Sequence, residues 1–178
     1  MMMTETAPPT LEQRLFDAAI GALELFGVYL GDRLGLYQSL RQRGASTAGE
    51  LAQAARIAPR YAREWLEQQA VAGVLVVDDV AGGADHRRYS LPEAHVGVVA
   101  DPLALDHLAP FASLVVGIAQ ALDDVVGAYR TGGGVPYSRY GPDFRAGQGA
   151  INRPAFTSAL VEQWLPALGG PAERLAHG

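Results

Sequence analysis

The chain has 178 residues, 49% of them hydrophobic and 19% charged, with 14 basic against 19 acidic side chains and a net charge of −5. That length holds one domain of ordinary size, or one and a half, and that composition folds around a core rather than staying disordered. There is no cysteine and all 14 basic residues are arginine, which excludes disulfides, thiolate metal sites and cysteine nucleophiles, and equally a Walker A lysine, a Schiff-base lysine and a lysine general base.

The N-terminal MMMTETAPPT has neither a basic region nor an apolar core, so no signal peptide is expected, and residues 1–10 read as a disordered arm. The chain is read as cytoplasmic, with no membrane partner. Its most apolar stretches, 18–30 and 111–122, are interrupted by Glu24 and Gln120 and fall short of the roughly 20 residues that a bilayer needs. Residues 11–40 read as helix with one break near Gly31 or Gly35. Leu11, Leu15, Ala19, Leu23, Phe26 and Leu30 recur at three and four residues, lining one helical face. Between residues 18 and 30 the other face is also nearly uncharged, and a helix apolar all round is covered either by its own core or by another subunit.

Thr47 and Glu50 have capping-box spacing, which starts a helix through Ala55. Pro59 then suits the first position of a second helix, which runs to about Ala72 with Gly73 as its left-handed cap. Residues 74–78 and 87–91 read as two strands joined by the turn AGGADH. Two short helices and a hairpin make a winged helix-turn-helix.

Beyond the wing the pattern is helical. Phe111, Leu114, Val115, Ile118, Leu122, Val125, Val126 and Tyr129 mark the apolar side of an amphipathic helix, with Gln120, Asp123 and Asp124 opposite. Residues 131–145, dense in glycine and proline, read as a long loop in which Tyr137, Tyr140 and Phe144 pack against something. A last helix is expected over 154–165, limited by Pro166.

Little catalytic chemistry can be placed on this frame. His86, His95, His107 and His177 lack metal-ligand spacing, and Asp106 with His107 reads as a solvated pair near a helix start. There is no GxSxG elbow, and Gly147 and Gly149 imitate a dinucleotide fingerprint without a preceding strand. The carboxylate pairs Asp78–Asp79 and Asp123–Asp124 read as solvated. Arg60, Arg63, Arg87 and Arg88 are the candidate DNA contacts of a winged helix, but Glu64 and Glu67 share the second helix with two of them. Neither half of the chain is basic: residues 1–100 carry 9 arginines against 12 carboxylates, and residues 101–178 carry 5 against 7. A nucleic-acid partner is therefore disfavoured.

The capping box followed by LAQAARIAPRYAREWLEQQAVAGVL and RRYSLPEAHVGVVAD, and then GGGVPYSRYGPDF, NRPAF and EQWLPAL, resembles the N-terminal region of bacterial class I S-adenosylmethionine-dependent methyltransferases. The resemblance implies a mainly α fold without a Rossmann sheet. Residues 11–100 would be a winged-helix dimerisation domain, and residues 101–178 a helical lid leading into a donor-binding domain. It implies a homodimer paired through residues 11–30 and a small-molecule substrate. In an intact enzyme Tyr137, Tyr140, Asn152 and Arg153 would contact S-adenosylmethionine or substrate, since aromatic faces pack on a sulfonium or adenine and an arginine holds a carboxylate. The family's catalytic half begins with a strand and a D-x-G-x-G motif. The chain ends instead at AERLAHG, so the resemblance implies a fragment that neither binds the methyl donor nor catalyses. The alternatives are a winged-helix DNA-binding regulator and a protein–protein interaction module.

Overall fold

A computed structural model describes residues 8–78, 80, 83–168, 170 and 174. The expected N-terminal arm therefore lies outside the described residues over 1–7, as do Asp79 and His177. Helix α1 (Leu11–Arg33) starts at Thr10, whose side chain accepts the Gln13 N–H at 3.2 Å. It ends where Gly35 takes φ +66°, a left-handed conformation that costs glycine little, and α2 (Leu36–Arg43) turns away from that point. The single break in residues 11–40 thus falls at Gly35, while Gly31 stays helical.

The capping box forms as expected. Thr47 accepts the Glu50 N–H at 3.3 Å, and the Glu50 carboxylate accepts the Thr47 N–H at 2.8 Å, opening α3 (Ala48–Ala55). Its main-chain hydrogen bond from Thr47 is the chief reason that the Glu50 carboxyl lies below its ordinary range, with Arg88 nearby adding to it. Pro59 begins α4 (Pro59–Val71), and Gly73 follows at φ +74°. The wing is an antiparallel pair, β1 (Val76–Asp78) and β2 (Arg88–Ser90), with Val77 opposite Tyr89. Tyr89 also exchanges both main-chain bonds with Ser46, tying the wing to the loop before α3. Leu36, Tyr37, Leu40, Leu51, Leu66 and Tyr89 form the centre of the core.

Helix α5 (Glu93–Ala100) closes this core with Val96, Val99 and Ala100. His107 follows it and is buried, with Nδ1 3.2 Å from the Gly97 carbonyl, so it is not the solvated residue that its neighbour Asp106 suggests. Glycine at 97 leaves room for the Asp106 carboxylate and exposes the carbonyl that His107 meets.

Two expectations for the second half are overturned. The apolar periodicity of residues 111–129 splits at Ala121 into α6 (Pro110–Gln120) and α7 (Leu122–Thr131), bent by 48°. The glycine- and proline-rich segment is mostly helical. A 3-10 turn (Tyr137–Tyr140) leads into α8 (Gly141–Pro154), which continues in π geometry (Ala155–Trp164) to α9 (Leu165–Ala167). Both Pro142 and Pro166 sit in first turns, where the missing N–H costs nothing. Pro154 lies within the helix and removes one ladder bond, beside which the Thr157 hydroxyl donates to the Arg153 carbonyl at 2.8 Å. No single helix among the described residues is long and apolar enough to cross a membrane; α6 and α7 reach that length only together, across their bend.

Candidate functional site

Helices α6 and α8 pack by their small residues. A Cβ on Gly117 would stand 2.8 Å from the Phe144 nitrogen, and one on Gly147 would stand 2.8 Å from the Pro110 carbonyl oxygen. Gly117 of the expected amphipathic helix and Gly147 of the imitated dinucleotide fingerprint are therefore contact points between two helices. This close approach buries Ser113 and Gly117 and turns the large residues the other way. Phe111, Ile118, Leu122 and Val126 are each 45–52% exposed and Tyr129 is 89% exposed. Of the expected apolar face of residues 111–129, Leu114, Val115 and Val125 are half-buried and the other five residues are exposed. The π segment leaves Phe156, Val161 and Trp164 exposed in the same manner.

At the head of α8 the aromatic residues cluster. Phe144 meets Tyr137 edge-on at a centroid distance of 5.7 Å and Tyr140 at 5.1 Å. The Tyr137 hydroxyl donates to Gln148 Oε1 at 3.2 Å. Arg139 holds the 3-10 turn to α7 through two bonds to Asp124, at 2.7 and 3.1 Å, and the hydrogen bond from Arg139 pulls the Asp124 carboxyl below its ordinary range. Tyr29 of α1 donates to Asp143 Oδ2 at 3.1 Å, and Arg33 Nε stands 3.9 Å from the other oxygen. Burial first, then the Asp143 hydrogen bond and charge, push the Tyr29 hydroxyl above its ordinary value. Sequence reasoning missed Asp143 and Tyr29 as partners, because no local signal relates residues 114 positions apart.

Tyr137 and Tyr140 share this platform, but Asn152 and Arg153 lie 12 to 13 residues beyond Tyr140. That is roughly 18 Å along a helix axis, and both residues are exposed on the face away from α6. The four expected donor contacts do not converge on one point. They form two patches along an open wall, and the only sheet among the described residues is the two-stranded wing. A cofactor with a sulfonium and an adenine would have one wall here and no crevice, so this set alone does not fit it.

The four arginines read as DNA contacts are each paired with a carboxylate. Arg60 meets Glu64 at 3.7 Å, Arg63 meets Asp85 at 3.5 Å, Arg87 meets Glu67 at 3.8 Å and Arg88 meets Glu50 at 3.3 Å. Among the described residues no group of His, Asp and Glu could hold a metal ion. Beside those arginine pairs an apolar groove of about 540 Å³ runs between α4 and α1, and Glu64, the partner of Arg60, stands on its edge. Trp65 anchors the two helices there, its Nε1–H donating to the Gly27 carbonyl at 2.8 Å, while the Tyr37 hydroxyl donates to Gln69.

Helix-turn-helix, wing and closing helix α5 coincide with a match over residues 21–100 to the family described as Rv2258c-like winged HTH domain. Residues 21–100 are an Rv2258c-like winged HTH domain. No curated protein matches the chain. Among solved structures, this winged domain and the helices after it are similar to N,N-8-amino-8-demethyl-D-riboflavin dimethyltransferase from Streptomyces davawensis, at 20% identity over 89% of this chain with a TM-score of 0.61. They are similar also to the mitomycin 7-O-methyltransferase MmcR, at 20% identity over 82% with a TM-score of 0.59. The third is human N-acetylserotonin methyltransferase in complex with SAM, at 18% over 92% with a TM-score of 0.55. The chain spans about half the length of these proteins, 48%, 44% and 48% respectively. At such identities the likeness is one of fold.

Proposed function

We propose that this chain is the dimerisation and substrate-lid part of an S-adenosylmethionine-dependent methyltransferase acting on a small molecule. The outward-facing apolar side of α6 and α7 carries the reading. Phe111, Ile118, Leu122 and Val126 form a helical stripe too apolar to be left to water, and its position beside the winged domain suits a docking donor-binding domain. The fold likeness to methyltransferases twice this length supports it.

In this reading residues 11–100 pair two subunits, with residues 11–30 at the interface, and residues 101–178 are the lid. Tyr137 and Tyr140 wall the donor or substrate near the head of α8, while Asn152 and Arg153 act further along it. Methyl transfer depends on holding donor and nucleophile in line, and an open wall cannot do this alone. The chain by itself is then catalytically silent, and S-adenosylmethionine belongs to the complete enzyme. Titration calorimetry tests this. The expected result is no measurable binding of S-adenosylmethionine; micromolar binding would place a donor site within these residues and overturn the assignment.

A further inference from the structure

We propose that the cleft between the second half of α4 and the wing is a binding site for a small neutral molecule with an apolar body and one carbonyl-type oxygen, held by Arg87 and Tyr89. The site is built from residues 67–89 alone and needs no donor-binding domain.

Arg87 directly precedes β2 and Tyr89 is the middle residue of that strand. A spacing of two puts both on one face of the extended chain, and the exposed Arg88 between them points the other way. Val77 of β1 stands directly opposite Tyr89 on the same face. Across from them Glu67, Ala70 and Val71, at i, i+3 and i+4, form one stripe of α4. Together with Val80 these residues line a cleft of about 260 Å³.

Tyr89 is 1% exposed, and its hydroxyl has no hydrogen-bond partner among the described residues; the buried Nε of Arg87 has none either. Two unmet polar groups in one cleft stand out, because a buried donor left unpaired costs more than a made bond returns. The walls around them, Ala70, Val71, Val77 and Val80, are hydrocarbon. Apolar walls with a few convergent polar groups are the make-up of a small-molecule site.

The two groups also set the chemistry of the ligand. An Nε–H can only donate, so the ligand must accept, and the Tyr89 hydroxyl can donate as well. Glu67 decides the charge. Its carboxylate stands 3.8 Å from Arg87 Nη1 and already balances the guanidinium, which favours a neutral carbonyl over a second carboxylate. That pair is long and partly exposed, hence weak enough for the Arg87 side chain to swing and admit the ligand to both donors. An apolar cavity of about 150 Å³ accepts benzene, and the larger volume here takes a ring with a short carbonyl substituent.

Acetophenone is a suitable probe, titrated into the isotope-labelled chain and followed by amide resonances. The expected result is saturable movement at Ala70, Val71, Val77 and Tyr89 with a Kd of about 1 mM, and benzoate binding about fivefold or more weakly. Tyr89→Phe is expected to weaken acetophenone by about fivefold or more. Its melting temperature should be unchanged or raised, since it deletes a buried hydroxyl without a partner. Val71→Asp, on a rim position that is 91% exposed, is expected to weaken binding while leaving the core as it is. No saturable movement at these amides, or an affinity that survives either variant, overturns the site. A lowered melting temperature in Tyr89→Phe also overturns it, because the hydroxyl would then be satisfied already. Tighter binding of benzoate overturns the neutral ligand class.

Discussion

The Tyr29 hydroxyl donates to the carboxylate of Asp143 at 3.1 Å, joining the first helix to the head of α8. This bond and the nearby Arg33 tie the aromatic platform to α1, beside the packing of α6 on the same helix. Tyr29→Phe removes the hydroxyl alone. It is expected to lower stability by about 1 kcal/mol, the lower end for a hydrogen bond to a charged acceptor because the contact is partly open to water. The corresponding fall in melting temperature is about 2–4 °C, read by circular dichroism; an unchanged melt would show that the contact holds nothing.

Gly117 and Gly127 provide an internal contrast. A side chain at 117 would meet the Phe144 main chain, whereas one at 127 meets nothing within 4 Å. Gly117→Val is expected to cost about 1–3 kcal/mol through overpacking, while Gly127→Ala on α7 stabilises by about 0.5–1 kcal/mol through helix propensity. Chemical denaturation of the two variants checks the pair, and equal effects would refute the close contact of α6 with α8.

Removing the cap of α3 by Thr47→Ala is expected to cost about 1 kcal/mol. The same cap has an acid limit. Glu50 is held below its ordinary value of 4.5, so its contribution is fully present above that value and is lost as pH falls through the lower folded value. Asp124, also lowered, behaves alike at the Arg139 pair. Amide resonances of residues 48–50 followed from pH 6 downwards should report loosening of α3 only below about pH 4.5. Loosening near neutrality would mean that another group controls this end.

Tyr37 sets an alkaline limit. It is 1% exposed, and burial, followed by the charge of Asp32, raises its hydroxyl well above the ordinary 10.0. A raised folded value means that stability is intact below pH 10 and falls above it, where the unfolded chain ionises and the folded chain does not. Tyr37→Phe is expected to flatten that alkaline decline in denaturation midpoints between pH 9 and 11, although it loses the bond to Gln69.

Duplex DNA should bind feebly. Each candidate contact, Arg60, Arg63, Arg87 and Arg88, already faces a carboxylate, and retardation by random duplexes is expected to vanish at physiological salt. Sequence-selective retardation lost in Arg60→Ala or Arg63→Ala would restore the regulator reading.

The winged domain was legible because its signals are local. Thr47 and Glu50 lie three residues apart, Pro59 and Gly73 bracket one helix, and the strands flank a short glycine-bearing turn. The groove was half legible, since the apolar period of α1 marks an unpaired face without naming Tyr61 and Trp65 as its far wall. Residues 131–145 read as loop yet are mostly helical, because glycine and proline carry two meanings: Pro142 opens α8 instead of breaking it. Gly147 breaks helices in isolation but permits one here, because only a residue without Cβ lets α8 rest on the Pro110 carbonyl.

Sequence alone thus determined which chemistry is excluded, through the absent cysteines and lysines, and where the two helices of the helix-turn-helix begin and end, because caps and periodicities act over a few residues. Tertiary structure decided which way the apolar faces point. Small residues at Ser113 and Gly117 let α8 approach α6 from one side, and that packing turned Phe111, Ile118, Leu122 and Val126 outward. A hydrophobic pattern records that a face must be covered; the partner that covers it is set by contacts between residues far apart in the chain.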